Sequence, residues 1–335
     1  MADAIEIPHS RDVFNFEQGE AVEHAFLDAL SRGRLHHAWL LTGPEGVGKA
    51  TFAYRAARRL MGAAPDPAFG LMGSSPEAPV SRQISARSHQ DLLVLEREVE
   101  GGKARKVIPV DEARKLPEFF SKAPASAPYR VAIVDSVDDM NPNAANALLK
   151  TLEEPPERGV LFLISHAPGG LLPTIRSRCR RLRFSAWSEE AVVAFLGRHA
   201  DLNAEEALRL ARMSGGAPGR ALDLLARKAL EADDAARELL RNLPSIDRGG
   251  LQAMADTFRG AEGMARFSML LERLADQIHR RAMGDVLDGD PPPAAWAETW
   301  TRLNELPGEV EGLNLDRADA LWAAVADLRG AARGG

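Results

Sequence analysis

His37-Ala-Trp-Leu-Leu-Thr42-Gly-Pro-Glu-Gly-Val-Gly-Lys49-Ala-Thr51 is the stretch on which the fold turns. A short apolar run with no polar interruption reads as a strand buried on both faces, and the glycine-rich turn after it ends in a lysine. From Lys49 to Met61 the apolar residues Phe52, Ala53, Ala56, Ala57 and Leu60 take up helical spacing. Strand, glycine loop and helix in that order make the opening βα unit of a parallel sheet. Gly43 to Lys49 also fits the first seven positions of the phosphate-cradling loop G-x-x-x-x-G-K-[ST], in which glycines let backbone N–H groups close around phosphates and the lysine reaches the outer ones. The eighth position fails: Ala50 has no hydroxyl for Mg²⁺, and Thr51 points about 100° further around the helix.

The same alternation extends along the chain. A helix over Glu17 to Gly33, with Val22, Ala25, Phe26 and Leu30 on one stripe, precedes the first strand. Strands are expected at Asp91–Leu95, Arg130–Val134, Gly159–Ser165 and Cys179–Phe184, with helices at Val110–Ala123 and Asn143–Glu153 between them. The result is an α/β core with helices on both faces of a parallel sheet, ending near Ser185. Met61 to His89, rich in Gly, Ala, Ser and Pro without a clear period, reads as an excursion loop. Beyond Ser185 strand signals stop. Ser188–His199, Ala204–Ser214 and Ala217–Ala232 suggest a small helical domain, and helical segments from about Arg241, interrupted by the Asp288–Pro293 loop, suggest a third, all-helical one.

Composition narrows the function. The 335 residues are 45% hydrophobic and 27% charged, which excludes disorder and fibre. Forty-two basic against 48 acidic side chains leave a net charge of −6, unsuited to holding duplex DNA unaided. One cysteine, Cys179, excludes an internal disulfide framework and suits the cytosol, and its alternating apolar neighbours point to a structural thiol. The start of the chain lacks the features of a signal peptide, and no run is long and apolar enough for a membrane span. The histidines lack ligand spacing, so no metal site is expected.

Two further places carry chemistry. Val131-Ala-Ile-Val-Asp135 ends on an acid, as does the strand that holds Mg²⁺ in nucleotide hydrolases, but Ser136 stands where a glutamate would orient the attacking water. Asp138 and Asp139 read as solvated turn or cap residues. Around Leu172-Pro-Thr-Ile-Arg-Ser-Arg-Cys179, the arginines Arg176, Arg178, Arg180, Arg181 and Arg183 form a solvated basic face, a nucleic-acid patch, or the site of an arginine finger inserted into a neighbour's nucleotide site.

Taken together, HHAWLLTGPEGVGKAT, VAIVDSVDDM, NPNAANALLKTLEEPP and LLPTIRSRC resemble the clamp-loader branch of the AAA+ family over roughly residues 15 to 225. The resemblance implies a RecA-like AAA+ domain (1–185), a helical lid (186–240) and a helical collar (241–335) joining five related subunits in an open ring. It implies that Arg178 of the Ser177-Arg178-Cys179 triplet acts in trans on ATP in an adjacent motor subunit, raising the finger above the solvated face. Gly43, Gly46, Gly48, Lys49, Thr51 and Asp135 then form a degenerate nucleotide site, and Arg220 takes the sensor 2 position, with lid packing or helix capping as its plain alternative. Ala50 and Ser136 resemble the branch's non-hydrolysing stator. The implied partners are gamma/tau-type motor subunits and a delta subunit, with the sliding clamp and primed DNA reached through the complex during DNA replication. No cofactor is required on this view, whereas ATP or ADP binding stays open. Relatives often carry four zinc-binding cysteines before the second strand; this chain has none there, so zinc is not carried over and the excursion should be held by packing alone. The rival expectation is a subunit that itself hydrolyses ATP, with Lys49 and Asp135 on MgATP and Asp138 or a neighbour as base.

Overall fold

The computed structural model describes residues 7–97, 99–100, 103–104, 107–243, 246, 248–287 and 294–333. The strands β1 (Ala38–Thr42), β2 (Leu92–Glu96), β3 (Arg130–Asp135), β4 (Gly159–Ser165) and β5 (Arg180–Arg183) form one parallel sheet in the order β2-β3-β4-β1-β5. The phosphate-loop strand is thus central, pairing Ala38 to Thr42 with Leu161 to Ser165 on one side and Trp39 to Thr42 with Arg180 to Arg183 on the other.

The inner strands β1, β3 and β4 are apolar almost throughout because their alternate residues face two different cores. Trp39, Leu41, Val131, Ile133, Phe162 and Ile164 pack with Phe26 of α1 (Glu20–Ser31) and Phe52, Ala56 and Leu60 of α2 (Lys49–Leu60). Ala38, Leu40, Ala132, Val134, Leu161 and Leu163 pack on the opposite face. Their partners there are Leu116, Leu148, Leu152 and Ile175. This is a parallel α/β core with a packed layer on each face of the sheet.

The expected helix over Val110–Ala123 is two short ones, α4 (Val110–Ala113) and α5 (Lys115–Phe120). The helix before β4 is α6 (Pro142–Glu153), with the Asn141 side chain capping the Ala144 N–H, and α7 (Pro173–Ser177) leads into β5. Helices α8 (Glu189–His199) and α9 (Ala204–Ser214) match their expected ranges, each opened by a capping side chain, Ser188 and Asn203.

The excursion after α2 departs from the loop expected. It contains α3 (Pro79–Ser85), whose Ser81 and Ile84 are buried, and Met72 is wholly enclosed. Seven residues are too few for a helical period to show in the sequence. Nor is packing alone what holds it. The buried Arg55 of α2 pairs with the buried Glu23 of α1 at 2.8 Å and donates to the carbonyls of Phe69 at 2.9 Å and Phe14; Glu23 also accepts from the Met72 N–H. One buried ion pair thereby fixes both the excursion and the chain's first described segment to the helix that follows the phosphate loop.

The chain divides into two compact units, one running to Leu222 and the other from Asp223. This partition differs from the three-part division at 185 and 240. In the second unit, α11 (Ala229–Asn242) sets Ala236, Leu239 and Leu240 into one core with Leu251 and Ala255 of α12 (Arg248–Asp256) and Phe267, Leu270, Leu271 and Leu274 of α13 (Gly263–Leu287). Leu303, Leu306 and Val310 of α14 (Ala294–Leu313) and Leu321, Val325 and Leu328 of α15 (Arg317–Arg333) complete it. Each such side chain contributes about 1.5–3 kcal/mol on burial, so residues 229–242 belong with the C-terminal bundle. The wholly buried Asp233 of α11 accepts from Gln277 Nε2 at 2.8 Å and pairs with Arg237 at 2.9 Å, crosslinking α11 to α13. The proline loop at 288–293 lies outside the described residues.

Candidate functional site

Parallel sheets place their ligand crevice beyond the carboxyl ends of the strands. Here those ends bring together the Gly43–Lys49 loop after β1, Asp135 and Ser136 at the end of β3, and Ser165 and His166 at the end of β4. Three glycines of the loop take left-handed backbone angles, with φ of +150° at Gly43, +77° at Gly46 and +99° at Gly48. Their missing side chains are used: a Cβ on Gly43 would lie 2.3 Å from the Phe184 carbonyl oxygen, and one on Gly46 would lie 2.5 Å from the Arg220 amide nitrogen. Gly48 caps α2 and packs against the Phe16 ring.

The lysine is turned inward. Lys49 is 3% exposed, and its ammonium donates to the carbonyls of Gly43 at 2.6 Å and Pro44 at 2.5 Å and to His166 Nδ1 at 3.0 Å. All three ammonium donors are thus placed within the protein. Burial lowers its pKa from 10.5 to about 8, against the attraction of Asp135, Glu45 and Asp138. His166 is held below the usual imidazole value by burial and then by Lys49, which suits a neutral ring accepting at Nδ1. His166 carried no signal in the sequence, being separated from Lys49 by 117 positions.

The acids behind the loop are engaged. Asp135 is raised to about 6, by burial first and then by Glu96, its cross-strand neighbour, with Lys49 opposing. Asp139 accepts from the Ser136 hydroxyl at 3.0 Å in a capping box, so it is the cap expected. Asp138 does more than the turn or cap residue expected: its carboxylate accepts from the Ser165 hydroxyl at 2.8 Å and the His166 amide at 2.5 Å, tying the segment after β3 to the end of β4. Position 50 is a methyl group against the core, and Thr51, 8% exposed, is enclosed by the α2 packing.

From above the loop comes α10 (Pro218–Ala226). The Gly219 amide donates to the Gly46 carbonyl at 2.8 Å, and a Cβ on Gly219 would lie 2.9 Å from that oxygen. Arg220 is therefore brought to the loop through its backbone. Two groups that assist MgATP hydrolysis are replaced here, and two others are engaged within the chain. Position 50 lacks the metal-binding hydroxyl, position 136 lacks a base, Asp138 is occupied by β4, and the lysine is spent on loop carbonyls.

The arginine cluster lies on and just before β5, the edge strand paired with β1. Arg178 ends α7 as its C-cap; its Nη1 donates to the Thr174 carbonyl at 3.1 Å and its Nη2 pairs with Glu153 at 3.0 Å. Its side chain is 36% exposed, so it is held at the surface. Arg176 reaches the Pro168 carbonyl, Arg180 lies over the Trp39 ring at 5.0 Å, and Arg181 and Arg183 are exposed on the edge strand β5. The arginines are thus not one patch of equivalent charges. Cys179 is half-buried, and burial pushes its thiol up to about 12, which leaves it unreactive at neutral pH.

Comparison with known proteins adds the following. The DNA polymerase III, delta subunit family matches residues 18–188. A DNA polymerase III subunit delta' from Pseudomonas aeruginosa is 39% identical over 188 residues, 56% of this chain and 55% of that protein. One from Escherichia coli is 29% identical over 283 residues, 83% of this chain and 82% of that protein. A DNA polymerase III subunit gamma/tau from Mycobacterium tuberculosis is 28% identical over 332 residues, 90% of this chain and 55% of that protein. The chain thus spans about half the length of the Pseudomonas and Mycobacterium relatives.

Proposed function

The chain belongs to the DNA polymerase III, delta subunit family, and from that premise we propose that it is the delta prime, or stator, subunit of a clamp loader. It does not turn over ATP itself. It supplies Arg178 in trans to ATP bound by a neighbouring gamma/tau-type subunit, and through the assembled ring, with a delta subunit, helps to place a sliding clamp on primed DNA. The C-terminal bundle is the collar through which it holds its neighbours.

The observation that carries this is the contrast between the two halves of the phosphoryl-transfer apparatus. The parts that would act in cis are disabled at Ala50 and Ser136 and locked at Lys49. The one part that acts on another subunit's nucleotide, Arg178, is half-exposed at the end of α7. A guanidinium delivered to a transferring phosphoryl group stabilises the charge spread over its oxygens without needing any other group on the donor subunit.

The test is turnover with and without partners. The isolated chain should hydrolyse no ATP above a Lys49→Ala control, and should restore clamp- and DNA-stimulated turnover when added to motor and delta subunits. Turnover by the isolated chain that disappears in Lys49→Ala would establish an intrinsic ATPase instead.

A further inference from the structure

The carboxylate that holds Arg178 has no part in the function proposed above, yet its position bears directly on it. Glu153 is the last residue of α6 and Arg178 the C-cap of α7, so two helix ends meet at this pair. Arg178 uses adjacent nitrogens on its own chain, Nη2 on Glu153 at 3.0 Å and Nη1 on the Thr174 carbonyl at 3.1 Å. The same Nη edge is the one a guanidinium offers to a phosphate in the bidentate mode. While Glu153 holds Nη2, that edge is divided, and a phosphate approaching it meets a carboxylate of like charge.

We propose that Glu153 is a positioning residue that parks the Arg178 guanidinium against its own subunit, so that delivery of the finger exchanges one anion for another. The inference rests on the trans role of Arg178 given above. Exposure sets the strength of the clasp. Glu153 is 53% exposed and Arg178 36%, so the pair belongs to the solvent-screened class, strong enough to bias a side chain and weak enough for the multiply charged phosphates of a neighbour's ATP to displace it. A buried pair would never release the arginine; a fully solvated arginine would enter any anion site within reach. The clasp therefore raises the ATP occupancy at which the neighbour gains its finger.

The experiment uses the full chain in the reconstituted loader as wild type, Glu153→Gln, Arg178→Ala and the double variant, each without and with clamp and primed DNA. Glutamine keeps the size of the side chain and removes its charge. In Glu153→Gln the ATP concentration for half-maximal turnover should fall about two- to fivefold, the range open to an exposed ion pair, and the gain should shrink as salt is raised. In the double variant the Glu153 change should have no effect beyond that of Arg178→Ala. If Arg178→Ala loses turnover while Glu153→Gln equals wild type, the clasp is idle and the inference fails while the finger stands. If Glu153→Gln loses turnover as Arg178→Ala does, Glu153 orients the finger rather than parking it, and the inference is again overturned. Wild-type turnover in Arg178→Ala would remove the finger itself, and the clasp with it.

Discussion

Replacing Lys49 by methionine separates this lysine from one that serves catalysis. At 3% exposure, with its pKa lowered from 10.5 to about 8, the ammonium is held in the folded chain at a penalty on the order of 3 kcal/mol relative to the unfolded chain. The sign follows from proton binding. Between pH 8 and 10.5 the unfolded chain binds more protons than the folded one, so stability rises with pH across that window; the penalty is complete below about pH 8 and gone above about 10.5. Methionine removes this dependence. It also orphans the Gly43 and Pro44 carbonyls, a loss that does not vary with pH. Urea unfolding of both proteins at pH 7.5 and 9.5 isolates the effect, since all other titrations cancel in the difference. Wild type should gain about 2 kcal/mol on Lys49→Met between the two conditions. Parallel pH dependences would refute the buried, loop-bound ammonium. A loader carrying Lys49→Met should keep its turnover wherever the variant chain remains folded.

Two further changes probe the scaffold. Gly46→Ala forces a side chain into a φ of +77° and sets its Cβ 2.5 Å from the Arg220 amide nitrogen; a loss of about 2 kcal/mol or more is expected. Faster amide exchange over residues 217–222 would show the loop and α10 parting, and unchanged exchange would show that they are not coupled. Asp91 is wholly buried and accepts from the amides of Ala125 at 2.8 Å, Ser126 at 2.9 Å and Ala127 at 3.1 Å. Burial would raise its pKa, but those amides and Arg130 more than offset it and hold the carboxyl below its usual value. Its stabilisation is present above the unfolded value and is lost as pH falls through the folded one. Asp91→Ala should be destabilised by about 3–5 kcal/mol at pH 7 and should converge on wild type in acid; a constant gap down to pH 2 would contradict this.

The sheet was legible because burial on both faces leaves the inner strands little room for polar residues: four strands lie where apolar runs placed them, Gly159–Ser165 to the residue, and the edge strand β5 lies within the alternating basic and apolar stretch Cys179–Phe184. The C-terminal bundle was legible only in part. Helix α14 does bury a stripe at Thr299, Leu303, Leu306 and Val310, but Pro307, Gly308 and Gly312 within it argue locally against a helix, and tertiary packing overrides them. At the candidate site, the glycines, Lys49 and the absent groups at 50 and 136 can be read from spacing. Their partners cannot. That Lys49 meets His166, Gly46 meets Gly219 and Arg178 meets Glu153 depends on strand order and on where helices end, which no local pattern encodes. Asp138 shows the limit most plainly: a turn acid by its neighbours in sequence, it is a crosslink to β4 in the fold.

The trans role of Arg178 is tested most directly by ATP turnover, stimulated by clamp and primed DNA, in a loader reconstituted with this chain as wild type or as Arg178→Ala. Arginine fingers elsewhere contribute about 10³ to 10⁵ in rate, so turnover at the one neighbouring site should fall by a factor of that order while the ring still assembles. An assembled loader in which that site keeps its wild-type rate would contradict the proposal and leave Arg178 a surface charge paired with Glu153.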